Sequence, residues 1–142
     1  MNYSNAQQQY KKNNVQTASP GKLLIMLYQG AIKFLNRTEV FMEKEDYEQV
    51  NNHLIRVQDI ITELRCTLDK EVGGEFAENL DALYEYMYHL LVQANKDKDL
   101  EPIHQVKEYL KELLEAWQEA NKKVGNKVFK QNNAAKLDIT SE

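Results

Sequence analysis

"YEQVNNHLIRVQDIITELRCTL", residues 47–68, carries apolar residues at Tyr47, Val50, Leu54, Val57, Ile61, Leu64 and Leu68, with spacings of 3, 4, 3, 4, 3 and 4. That rhythm puts every apolar side chain along one stripe of an α-helix and fits no strand, whose faces alternate every second residue. A stripe this narrow is the seam of a helix packed on others at a shallow angle, knobs into holes. Residues 103–124 repeat the rule through Ile103, Val106, Leu110, Leu113, Trp117, Ala120 and Val124, and residues 80–94 through Leu80, Leu83, Met87, Leu90 and Ala94. Residues 24–41 follow it through Leu24, Leu27, Ala31, Phe34, Thr38 and Phe41. Four helices result.

The boundaries carry their own signals. "TASPG" offers Ser19 as an N-cap for orphan backbone amides and Pro20 at the first helical position, where a missing N–H costs nothing. "EKED" supplies Asp46 as the next N-cap, "VGG" at 72–74 breaks the chain, and "NKDKD" ends in Asp99 ahead of Pro102. All three connections are short, and short links between similar helices make neighbours antiparallel. The expected fold is all-α, an up-down-up-down four-helix bundle over residues 19–126. Residues 1–18 read as an N-terminal arm and residues 127–142 as a polar C-terminal tail, both rich in Asn, Gln, Lys and Ser.

A chain of 142 residues fits one domain, and 42% hydrophobic with 28% charged residues and two Pro describes a folded core. The net charge of −4, with both signs interspersed, gives no field that gathers nucleic acid or an anionic membrane. A lone cysteine, Cys66, excludes an internal disulfide and fits a reducing compartment. The start "MNYSNAQQQYKKNN" is polar and the longest apolar run is too short to insert in a bilayer, so a cytoplasmic protein is expected.

Catalytic chemistry finds no residues. A di-iron bundle site needs two Glu-x-x-His pairs and two further Glu, and the chain has one such pair, Glu101 with His104, in the first turn of its helix. His53 and His89 have no partner at metal-ligand spacing, and "PGK" at 20–22 lacks the Gly-rich run and following Ser or Thr of a phosphate loop. Ser19 is accounted for as a cap and Cys66 has no base near it in sequence. No enzyme, metal or cofactor is expected.

What the chain has in surplus is apolar surface. "KLLIMLY", residues 22–28, points six apolar side chains in all directions around a helix that needs one stripe. In "LYEYMYHLL", residues 83–91, the seam uses Leu83, Met87 and Leu90, leaving Tyr84, Tyr88 and Leu91 as a second stripe, and Ile60 stands beside the seam residue Ile61. These residues either widen the core stripe or line a surface for a partner helix, where tyrosine is enriched.

"YKKNNVQTASPGKLLIMLYQGAIKFL" resembles the N-terminal signature of the flagellin-specific export chaperones, the FliS family. "NHLIRVQDIITEL", "GGEFAENLDALYEYMYHLLVQAN" and "AWQEA" resemble its later blocks in order, over roughly residues 10–121. Gln29, Val57 and the His89-Leu90 pair depart from the family's usual residues. The resemblance implies a chaperone that binds the C-terminal segment of newly made flagellin, blocks premature polymerisation and hands its client to a component of the export gate. It also implies a monomer or weak dimer. Leu24, Leu27 and Ala31 are then expected to face the core, while Leu23, Ile25 or Met26 border a groove covered by flagellin or by the arm, through Tyr10 and Val15. The competing class is a helical adaptor or regulatory bundle that self-associates through the same surface.

Overall fold

The computed structural model describes the backbone of residues 19–141 and the side chains of residues 19–123. Four helices follow in order: α1, Pro20–Glu43; α2, Tyr47–Cys66; α3, Lys70–Asp97; and α4, Leu100–Ser141. The helices account for the four-helix bundle, with no strand among the described residues. The backbone of α4 stays helical through the polar stretch that begins at 127.

Two compact units can be distinguished. One spans Met26–Leu113; in the other, the described residues are those up to Ile25 and those from Leu114 onward. Within the first unit, side-chain pairs give the direction of every helix. Arg65, late in α2, donates to Asp81, early in the straight part of α3, at 2.7 Å. At the other end Asn95 of α3 donates to Asn51 of α2 at 2.7 Å, so the two helices run antiparallel. Lys107 in the first turns of α4 donates to Glu39, late in α1, at 2.9 Å, which makes that pair antiparallel too. Phe34 and Phe41 of α1 flank the His53 ring of α2 with centroids 5.9 and 5.0 Å away. Tyr86 of α3 and Tyr109 of α4 meet edge to face at 6.4 Å.

The core lies where these four seams converge. α2 buries Val50, Leu54, Val57, Ile61 and Leu64, the stripe expected from its rhythm, with only the terminal Tyr47 and Leu68 left partly accessible. α4 buries Ile103, Val106 and Leu110, while Leu113 and Trp117 are half-buried and Ala120 is exposed. In α1 the buried set is Tyr28, Ala31, Leu35, Thr38 and Met42. Of the expected α1 seam, therefore, Ala31 and Thr38 are buried, whereas Leu24, Leu27, Phe34 and Phe41 lie half-covered on or beside it. Thr38 fits inside because its hydroxyl donates to the Phe34 carbonyl at 2.7 Å, leaving no unpaired polar atom. Tyr28 and Tyr84 likewise join α1 to α3 through the core, hydroxyl to hydroxyl.

Each helix start is capped by an oxygen. Ser19 Oγ accepts from Lys22 N at 3.2 Å ahead of Pro20. Asp46 accepts from Gln49 N, and Asp99 from Glu101 N. α3 is capped by Asp69, which accepts from Glu71 and Val72 at 3.1 Å, so the helix begins before "VGG" rather than after it. The glycine break survives as a kink: Gly74 has φ +53 and ψ −130, a conformation open to glycine alone. The α1–α2 and α3–α4 turns share one design, a left-handed residue followed by the capping aspartate: Glu45 (φ 55) then Asp46, and Lys98 (φ 50) then Asp99. In both, the aspartate N–H reaches back six residues inclusive, to Phe41 and to Ala94, closing the helix end as a Schellman turn does.

Candidate functional site

Positions 23, 27, 30, 34 and 41 form one flank of α1 beside its buried stripe, and positions 25, 32 and 39 form the other. The first flank faces α2. A carbon added at Gly30 would stand 3.7 Å from Ile60 Cδ1, so α1 and α2 approach in ordinary contact there. Further along, Phe34 carries the Arg56 guanidinium over its ring at 5.4 Å and shares the His53 ring with Phe41. His53 Nδ1 lies 2.8 Å from the Gln49 carbonyl; a carbonyl only accepts, so Nδ1 carries the proton and Nε2 is turned outward. Within the Met26–Leu113 unit this flank is apolar at Leu27 and Ile60 and becomes aromatic and cationic toward Arg56.

The residues singled out in the sequence do not share one patch. Ile60 is half-buried along the α1–α2 flank and Met26 is 37% exposed, while Leu23, in the other compact unit, is half-buried. Ile25 is half-buried on the opposite flank. Tyr84 and Leu91 are 1% and 0% exposed, so they belong to the core and not to a surface stripe. The reason is chemical: Tyr28 satisfies the Tyr84 hydroxyl, which permits a phenol where a sequence pattern suggests an interface. Burial first, and then that hydrogen bond, raises the Tyr84 pKa well above the ordinary tyrosine range. Tyr88 is half-buried and, with Thr62, Arg65 and Cys66, lines a cavity of about 340 Å³ between α2 and α3. Tyr10 and Val15 lie outside the described residues.

Sequence reasoning missed several exposed apolar groups. Ile55 and Val92 stand on the outer faces of α2 and α3, and Val72 and Phe76 flank the Gly74 kink at 86% and 65% exposure. Phe34, assigned to the seam, belongs to the α1–α2 flank instead; its cation and imidazole neighbours come from residues 53 and 56, which no local pattern connects to it.

Polar groups around these surfaces are committed to pairing. The Asp81 carboxylate is held below its ordinary pKa by the hydrogen bond from Arg65, against the opposing effect of burial, with Lys70 assisting at 3.2 Å. His104 Nε2 lies 3.6 Å from Glu39, which also pairs with Lys107, so the histidine of the Glu-x-x-His pair lies beside a carboxylate of α1. Among the described residues no group of three or more His, Cys, Asp or Glu side chains is gathered to hold a metal ion. No described helix is long and apolar enough to cross a membrane. Among the described residues the arrangement offers apolar surface and no nucleophile beside a base.

Comparison with known proteins gives a consistent result. A family model described as Flagellar protein FliS matches residues 3–124. The chain is 40% identical to the flagellar secretion chaperone FliS of Bacillus subtilis over 111 residues, covering 78% of this chain and 82% of that protein. It is 40% identical to the protein of the same name from Campylobacter jejuni, covering 79% and 88% of the two chains. The Salmonella typhimurium protein of that name is 39% identical, covering 77% and 82%.

Proposed function

The chain belongs to the Flagellar protein FliS family, and we propose that it is a cytoplasmic export chaperone that binds the C-terminal segment of flagellin, prevents its premature polymerisation and supports its delivery to the export gate. The observation that carries this reading is the α1–α2 flank of the Met26–Leu113 unit, where Met26 is exposed and Leu27, Phe34 and Ile60 are half-buried beside a filled core. The filled core has no further use for such a flank. An unfolded client has one: ordering a disordered segment consumes roughly 2–5 kcal/mol of the gross interaction, and a broad apolar footprint offsets it. Grooves that accept an apolar helix face are a recurrent mode of peptide recognition. Tyr10 and Val15 of the arm extend the same function, either touching the client or shaping its groove. The chaperone acts by binding alone, with no catalytic step.

Calorimetry with a synthetic flagellin C-terminal segment tests the proposal. One-to-one binding with a clearly negative heat-capacity change and weak salt dependence is expected. Affinity that falls steeply with salt would reject apolar burial as the cause. Tyr10→Ala should weaken binding by more than about 1 kcal/mol and leave melting nearly unchanged. Light scattering of the free protein should show a monomer or weak dimer; a stable oligomer would favour an adaptor that self-associates.

A further inference from the structure

The later part of α4 holds a polar atom that the fold does not use. Trp117 Nε1–H is shut off from water and meets no acceptor among the described residues. Buried donors in folded proteins are almost always paired, and an unpaired one keeps the desolvation cost of its burial without return. The side chain as a whole is only half-buried, so part of the ring remains accessible. Asn121, one turn later on the same face, offers no remedy: its Oδ1 lies against Gly21, 2.5 Å from where a side-chain carbon would stand. One turn earlier stands Leu114, half-buried and apolar. The result is an amphipathic ring with an idle donor, set between an apolar shoulder at Leu114 and an amide at Asn121 that lies against Gly21.

We propose that the Trp117 indole N–H docks a backbone carbonyl of the client segment, an inference that rests on the chaperone reading above. An indole N–H is a neutral donor with no acceptor capacity, so it suits a neutral carbonyl better than a basic or hydroxyl-rich ligand. A segment that turns helical on binding supplies such groups, because the last four carbonyls of a helix have no partner within it. In the free chain the donor is covered. Docking therefore requires the covering groups to move aside, and the hydrogen bond gained favours the occupied form over the closed one.

Trp117→Phe keeps an aromatic ring and deletes only the donor region of the indole. Its melting temperature should equal or exceed that of the parent, because an unpaired buried donor is gone. Its affinity for a synthetic flagellin C-terminal segment should fall roughly tenfold, the size of one buried hydrogen bond. The chain has a single tryptophan, so its 1H–15N spectrum contains one indole resonance, which should move downfield as the segment saturates the protein. A parent that binds while that resonance stays in place overturns the inference and leaves the chaperone reading standing, as does a folded variant of parental affinity. If the variant fails to fold, the parent's resonance decides alone. A parent that binds no flagellin segment removes the chaperone reading and this inference with it.

Discussion

α2 and α1 bury stripes of similar length and treat their flanks in opposite ways. α2 buries five apolar residues and is tied to α3 toward both ends by polar pairs, Arg65 to Asp81 and Asn51 to Asn95. α1 buries five residues too, yet leaves Leu23, Leu24, Ile25, Leu27, Phe34 and Phe41 half-covered and Met26 and Val40 exposed. A sealed flank fixes a helix in its register and gives a partner little to bind. An open apolar flank contributes less to folding and more to association, since its burial is completed only when something covers it. On the proposed chaperone reading, the buried α2 seam serves stability and the open flank of α1 serves recognition.

The sharpest way to break that division is Leu64→Ala, on the sealed seam. Removing a fully buried side chain should cost about 2–5 kcal/mol, read by chemical denaturation, and client binding should fall only as the folded fraction falls. Next in size is Tyr28→Phe, which leaves the Tyr84 hydroxyl without its partner and should cost about 1–3 kcal/mol. The same pair predicts an alkaline limit. The folded chain holds the Tyr84 proton more tightly than the unfolded chain, so the stability is intact below the ordinary value of 10.0 and is lost as pH rises above it.

Met26→Ala probes the open flank. Stability should stay within about 0.5 kcal/mol of the parent, while client binding weakens by about 1 kcal/mol. A loss of stability without loss of binding would reverse the roles of the two helices. The smallest effect concerns the seal itself. Asp81 has a depressed pKa in the folded chain, so its contribution is present above its ordinary value of 3.8 and disappears as pH falls through the lower, folded value. The ion pair is partly exposed and screened, so well under about 1 kcal/mol is at stake, and Arg65→Gln should flatten that acid arm of the stability profile.

How much of this was legible depended on local contrast. Val50 and Val57 stand between polar neighbours and Leu54 has a single apolar neighbour, Ile55, so the 3–4 rhythm favours one stripe and it is the one buried. In "KLLIMLY" every direction is apolar, and periodicity alone does not separate Tyr28, which is buried, from Leu27, which is half-covered. Tyr84 misled for another reason: its partner is 56 residues away, and a tyrosine hydroxyl reads as surface until that partner is known. The Asp46 and Asp99 caps were readable because an N-cap is a local signal. The left-handed Glu45 and Lys98 were not, since the glycine that usually marks such a position is absent. Of the proposed surface, surplus apolarity pointed to Met26 and Ile60, whereas the Phe34, His53 and Arg56 cluster depends on tertiary pairing.

The two left-handed turns also set the phase of the helices that follow them. Because Asp46 both closes α1 and caps α2, no residue between them is spare, and the same holds for Asp99 between α3 and α4. An inserted or deleted residue at either turn would advance or retard the next helix by about 100°, swinging Leu54 or Val106 out of the core. The α2–α3 connection differs. Its cap, Asp69, is followed by a short helical turn and the Gly74 kink before Ala77, the first buried residue of α3. A change of length there meets a joint before it reaches the seam, so the chain should accept an extra residue between Asp69 and Gly74 far more readily than one beside Glu45 or Lys98.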